Sequence, residues 1–135
     1  WFRSEGSISR DGCRVPMPWT SDGSSFGFGP GGAHLPQPAW FKDVNVEVQD
    51  KDAQSTLNLY RNALRIRRDL LCAEQFKWVK HLLAPEVLHF TRPNGWQCVT
   101  NFGTKPFKLP KGQVLLTTKT IVDGKLPANA TAWIK

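Results

Sequence analysis

The chain has 135 residues, the size of one domain, and is 40% hydrophobic, which sets it apart from a disordered polypeptide. Its net charge of +7 raises a nucleic-acid partner, but the basic residues stand singly or in pairs such as Arg67-Arg68, without a DNA- or RNA-binding motif. A solvated basic surface is the expectation, and the lack of any apolar run long enough to span a bilayer argues against a membrane partner.

In chain order, residues 1–49 come first and are rich in Gly, Pro, Ser and Trp, with Pro16, Pro18, Pro30, Pro36 and Pro38 among Gly27, Gly29, Gly31 and Gly32. Pro and Gly interrupt helices and central strands, so a long functional loop is expected here. A chain that opens on Trp1 with no apolar leader reads as cleaved, truncated or excised.

A helix is expected over 53–71, with Asp52 placed as its N-cap. On a helical wheel Leu57, Leu59, Tyr60, Ala63, Leu64, Ile66, Leu70 and Leu71 fill one half, and Asn58, Arg61, Asn62, Arg65, Arg68 and Asp69 the other. A stripe that wide marks a helix packed on a core.

Residues 73–135 alternate short strand-like runs with turn signals. The runs are 76–82, 87–92, 96–102, 113–118 and 131–134, and Pro93-Asn94-Gly95, Pro110-Lys111-Gly112 and Asp123-Gly124 are the turns. Close spacing implies antiparallel pairing and a small β-sandwich or open barrel. Trp78, Trp96 and Trp133 fall in these runs, where core packing is the usual fate. Cys13, Cys72 and Cys98 are odd in number and lack metal-ligand spacing, so no metal site and no disulfide framework are expected, and free thiols suit a reducing cytoplasm. His34, His81 and His89 likewise show no ligand spacing and read as surface or satisfied histidines.

The run Ser9-Arg10-Asp11-Gly12-Cys13-Arg14-Val15-Pro16-Met17-Pro18-Trp19 resembles a segment of the α-glucosidases and oligo-α-glucosidases of the α-amylase superfamily, glycoside hydrolase family 13. Phe26-Gly27-Phe28, Asn45-Val46 with Gln49, and Ser55-Thr56-Leu57 through Arg67-Arg68 are similar to elements that follow it in that family. Val15 and Thr20 depart from the pattern, which bears on subfamily and linkage preference.

The resemblance implies an α+β fragment: the last loop and helix of a (β/α)₈ barrel, residues 1–72, followed by a small antiparallel β-sandwich C-terminal domain, residues 73–135. A whole barrel needs about 250 residues, so the rest lies elsewhere and this piece would pack on the missing N-terminal barrel. The implied parent is a retaining α-glucosidase acting on α-glucoside oligosaccharides of the maltose type, without a cofactor. Its catalytic carboxylates belong to motifs not found here, so no catalytic residue is assigned and the piece alone is expected to be inactive.

Asp11, Asp22, Asp43 and Glu47 read as structural or solvated acids. Arg10, by its place in the motif, is the candidate contact to the terminal glucose, because a guanidinium offers several fixed donors to neighbouring hydroxyls. Arg14 is the second candidate substrate-binding residue, and stays open between lining the pocket entrance and bracing the loop through a salt bridge. Trp19 reads as a loop anchor, whereas Phe26 and Phe28 stay open between anchoring and sugar stacking. The alternatives are a carbohydrate-binding β-sandwich module and a piece of a trehalose synthase-like isomerase.

Overall fold

The computed structural model describes residues 14–33, 35–70 and 75–135, with the backbone of two short strands, β1 (Arg3–Ser4) and β2 (Ser7–Ile8). Arg10, Asp11, Cys13, His34 and Cys72 lie outside the described residues. The chain divides into two compact units, Trp1–Tyr60 and Arg61–Lys135.

In the first unit β1 and β2 pair antiparallel. A tight turn at Ser24–Gly27 and a 3₁₀ helix at Ala39–Asp43 punctuate the Pro/Gly-rich stretch. It then ends in a helix, α1 (Val46–Lys51), where the long loop was expected to run on to residue 49. The reason is local: no Pro or Gly follows Pro38 until well beyond this point. The Asn45 side chain accepts a hydrogen bond from the Val48 N–H at 3.0 Å, an N-cap. Glu47 and Lys51, one turn apart, form a 2.8 Å surface ion pair.

The long helix α2 runs Thr56–Leu70, and its cap is Ser55 rather than Asp52. The Ser55 hydroxyl accepts from the Asn58 N–H at 3.2 Å, three residues on. Asp52 instead closes α1, and its carboxylate accepts from the Gln54 N–H at 2.9 Å. That Asx turn holds the chain out of the helix for three more residues. No residue of α2 is buried, and Leu64, toward one edge of the apolar stripe, is 58% exposed.

The second unit holds the C-terminal part of α2 and the antiparallel β-sandwich. Its main sheet has the order β3-β4-β5-β9-β7, from β3 (Lys77–Trp78), β4 (Val87–Thr91), β5 (Gln97–Asn101), β7 (Val114–Thr117) and β9 (Ala130–Ile134). A ribbon of β6 (Phe107–Lys108) and β8 (Lys125–Leu126), two residues each, was too short to register as a pattern. It supplies the second layer. Leu126 of β8 is fully buried with Val87, Val99, Ala130, Ala132 and Ile134, and Phe107 of β6 packs against them. Burial of Leu126 or Ile134 is worth about 1.5–3 kcal/mol each. In β9 Ala130, Ala132 and Ile134 face this core while Thr131 and Trp133 face the other way, the two-residue period of a strand.

Two turns set the registers. Asp123 and Gly124 take φ of 50° and 68°, the two-residue turn of a tight hairpin between the bonded pair Val122 and Lys125. At Pro93-Asn94-Gly95 only Gly95 has a positive φ, 83°. The Gly95 N–H donates to the Arg92 carbonyl and the Arg92 N–H to that of Trp96, so the loop has three residues, Pro93, Asn94 and Gly95.

Trp96 and Trp133 are partly buried and meet edge to face at 5.3 Å. Trp78 departs from the expected core packing: it lies on the two-residue edge strand β3, with no strand beyond it among the described residues, and is 58% exposed. Cys98 is a buried free thiol, and burial pushes its pKa up.

Candidate functional site

Arg14 is the first described residue of the motif and is exposed. The chain after it is pinned by its own backbone. The Pro16 carbonyl accepts from the Gln37 side-chain amide at 3.2 Å. The Pro18 carbonyl accepts from the Val46 N–H and the Trp19 carbonyl from the Glu47 N–H, at 3.2 and 3.0 Å. These two N–H groups stand at the first turn of α1, where a helix leaves donors without internal partners. From the other side, the N–H groups of Trp19 and Thr20 both donate to the Phe26 carbonyl, at 2.7 and 3.0 Å.

Asn45 ties this frame together. It is 1% exposed. Its amide donates to the Lys42 carbonyl at 2.7 Å and to the Ser21 hydroxyl at 3.1 Å, while its oxygen caps α1. Gln49 continues the frame into α2, donating to the Val44 carbonyl at 2.7 Å and accepting from the Leu57 N–H at 3.1 Å. The sequence pointed to Asn45 and Gln49 only as members of a motif; an Asn just ahead of a Pro- and Gly-free run is the capping signal that identifies the first of them.

On this frame the aromatic side chains divide. Phe26 is half-buried, with its ring 6.2 Å from that of Phe41. Phe28 and Trp40 are exposed, and so is the indole of Trp19, whose anchoring runs through its backbone. Asp22 and Asp43 are exposed, and Glu47 is taken by Lys51. The segment thus presents one guanidinium and several open aromatic rings on a backbone held at both ends. Such a surface can bind a polyhydroxyl ring by donors and stacking. Among the described residues no cluster of His, Cys, Asp or Glu could hold a metal ion.

Comparison with known proteins gives these residues a context. The family model of the alpha-amylase catalytic domain matches residues 2–74, more than half of the chain. The chain belongs to the alpha-amylase family. It is 37% identical over 71 residues to the alpha-glucosidase MAL12 of Saccharomyces cerevisiae, covering 50% of this chain and 12% of that protein. It is 33% identical over 118 residues to the probable oligo-1,6-glucosidase 2 of Bacillus subtilis, covering 82% of this chain and 20% of that one. The solved isomaltulose synthase of Klebsiella sp. LX3 superposes with a TM-score of 0.73 at 22% identity, over 93% of this chain and 25% of the enzyme.

The chain therefore spans between about an eighth and a quarter of these alpha-amylase relatives. Its architecture is that of a piece of such an enzyme, the end of a barrel followed by a β domain, and its family is one of glycoside hydrolases. Among the described residues no helix is long and apolar enough to cross a membrane.

Proposed function

We propose that the chain is the C-terminal part of a retaining α-glucosidase that releases terminal α-linked glucose from maltose-type oligosaccharides. In this reading residues 1–72 close the catalytic barrel, 73–135 form the β domain, and the piece alone is inactive. The observation that carries it is the motif of residues 9–19 within a match to the alpha-amylase catalytic domain. Retaining hydrolysis needs a nucleophile and an acid about 5–5.5 Å apart, flanking an oxocarbenium-like transition state. Those carboxylates are supplied by the rest of the parent.

Arg10 and Arg14 bind substrate in this reading. Their guanidinium donors hold hydroxyls of the terminal glucose and fix the ring for attack. The pinned backbone at residues 16–20 supports such a role, because a positioning group must itself be held. The exposed edge of the apolar stripe of α2, at Tyr60 and Leu64, supports packing on a barrel elsewhere in the parent: large apolar side chains left open on an amphipathic helix are the mark of a missing partner. The free thiol of Cys98 suits a reducing cytoplasm.

The test is release of p-nitrophenol from p-nitrophenyl-α-glucoside by this chain and by the longer protein encoded with it. Activity is expected only in the longer protein. Arg10→Ala should lower its kcat/KM about ten- to a hundredfold, the loss of charge-assisted hydrogen bonds to substrate. Activity in the 135-residue chain would overturn the assignment. Conversion of sucrose to an isomer, without net glucose release, would assign the parent to the isomerases instead.

A further inference from the structure

A cavity of about 600 Å³ opens in the β-sandwich unit, within the size range of small-ligand sites. Trp78, Lys80, His81, Glu86, His89 and Phe102 are among the residues that line it. Trp78 and Phe102 are 58% and 62% exposed, unusual for large aromatic side chains in a folded unit. The Trp78 indole is nonetheless held, meeting the rings of Phe76 and Phe90 edge to face at 5.1 and 5.9 Å. Ring faces fixed before binding cost little entropy when a ligand stacks on them.

The polar lining is equally defined. His89 Nε2 lies 2.9 Å from the Gln97 side-chain oxygen, which can only accept, so Nε2 carries the proton. Nδ1 of His89 is then an acceptor, and His81 Nε2, 3.0 Å away, is its donor. The two rings lie edge to edge and nearly coplanar, 5° apart, as the hydrogen bond requires, and Phe107 meets His81 edge to face at 4.8 Å. His81 is thereby fixed in one tautomer, with Nδ1 a lone-pair acceptor that no hydrogen bond engages among the described residues. Lys80 and Glu86 add one charge of each sign. A lining that is apolar, aromatic and neutral in sum, with a fixed acceptor and an ammonium donor, suits an uncharged ligand with both C–H faces and hydroxyls. It does not suit a phosphate or a carboxylate.

We propose that this cavity is a saccharide subsite on the β domain, lined by none of the residues of the segment carrying Arg14, in which an α-linked glucan stacks on Trp78 and Phe102 and a hydroxyl donates to His81 Nδ1. The choice of α-linked glucan rests on the α-glucosidase reading above; the stacking site does not.

The test is an NMR titration of the ¹⁵N-labelled chain with maltotetraose and, in parallel, cellotetraose. Saturable shifts are expected with maltotetraose at the Trp78 indole N–H and the amides of His81 and Phe102. Trp78→Ala and Phe102→Ala should each weaken binding about tenfold, as loss of a stacking anchor does, and Trp78→Phe should restore most of it. Phe102 is exposed, so its variant keeps the test valid if Trp78→Ala unfolds the edge strand. Absence of saturable shifts with either sugar, shifts confined to residues 14–45, or binding untouched by both alanine variants would overturn the proposal. Equal binding of cellotetraose would uphold the saccharide site and overturn its linkage preference. Loss of α-glucosidase activity in the parent reading would leave the Trp78 shifts unaffected, which separates the two failures.

Discussion

His89 shows how one side chain couples burial to charge. It is 4% exposed, and burial lowers its pKa below the ordinary imidazole value, helped by the nearby His81 and opposed by the hydrogen bond to Gln97. In the unfolded chain the imidazole titrates near 6.5. Below that pH the unfolded state binds a proton that the folded state refuses, so the unfolded state gains. Stability should therefore be full above about pH 6.5 and decline as pH falls toward the lowered folded value, where the loss levels off. Urea midpoints measured from pH 7.5 to pH 5 should show this slope, and His89→Gln should flatten it relative to the unsubstituted chain. Equal slopes in both proteins would mean that His89 does not refuse the proton.

Helix capping is where elements are decided. Asn45 supplies an acceptor to α1 and donors to the loop ahead of it, all from a buried amide. Asn45→Ala should cost about 1–3 kcal/mol, because the loop carbonyl and the Val48 N–H lose their partner together. The measurement is the urea midpoint followed by far-UV circular dichroism. Asn45→Asp keeps the oxygen for Val48 but sets a carboxylate oxygen against the Lys42 carbonyl in a buried site, and should cost at least as much as Asn45→Ala. For α2 the apolar period made the helix visible, but Asp52 and Ser55 are both capping residues. Only the Asx turn at Asp52–Gln54 chose between them.

Across the whole molecule, burial is divided unevenly. Every buried apolar residue among the described ones lies between Val87 and Ile134. The described part of the first unit buries only the polar Asn45 and Ser55 and is held chiefly by hydrogen bonds, each worth about 1 kcal/mol net. Amide hydrogen exchange of this chain should therefore protect β4, β5 and β9 most strongly, while α1 and the first turns of α2 exchange orders of magnitude faster. Protection of the first unit equal to that of β5 would mean that it holds a core of its own. In the longer protein the same helices should gain protection, if α2 packs on a barrel as proposed.

Local preference is written in the sequence, and so is the family. Residues 9–19, the 3.6-residue period within 53–71 and the turn residues at 93–95 and 123–124 act through neighbours a few positions away, and all four were legible. The β-sandwich followed from them. Arg14 was legible as a motif residue, and it is exposed. What tertiary structure alone decided are pairings across distance. Phe107 meets Leu126 to make the second layer, Asn45 reaches Ser21, and His81 finds His89, which finds Gln97. Trp78 is open because β3 is the edge of its sheet, and Trp133 is covered because β9 is not. No periodicity along the chain carries strand order, since burial is set by which strand lies alongside, and that is a property of the folded sheet.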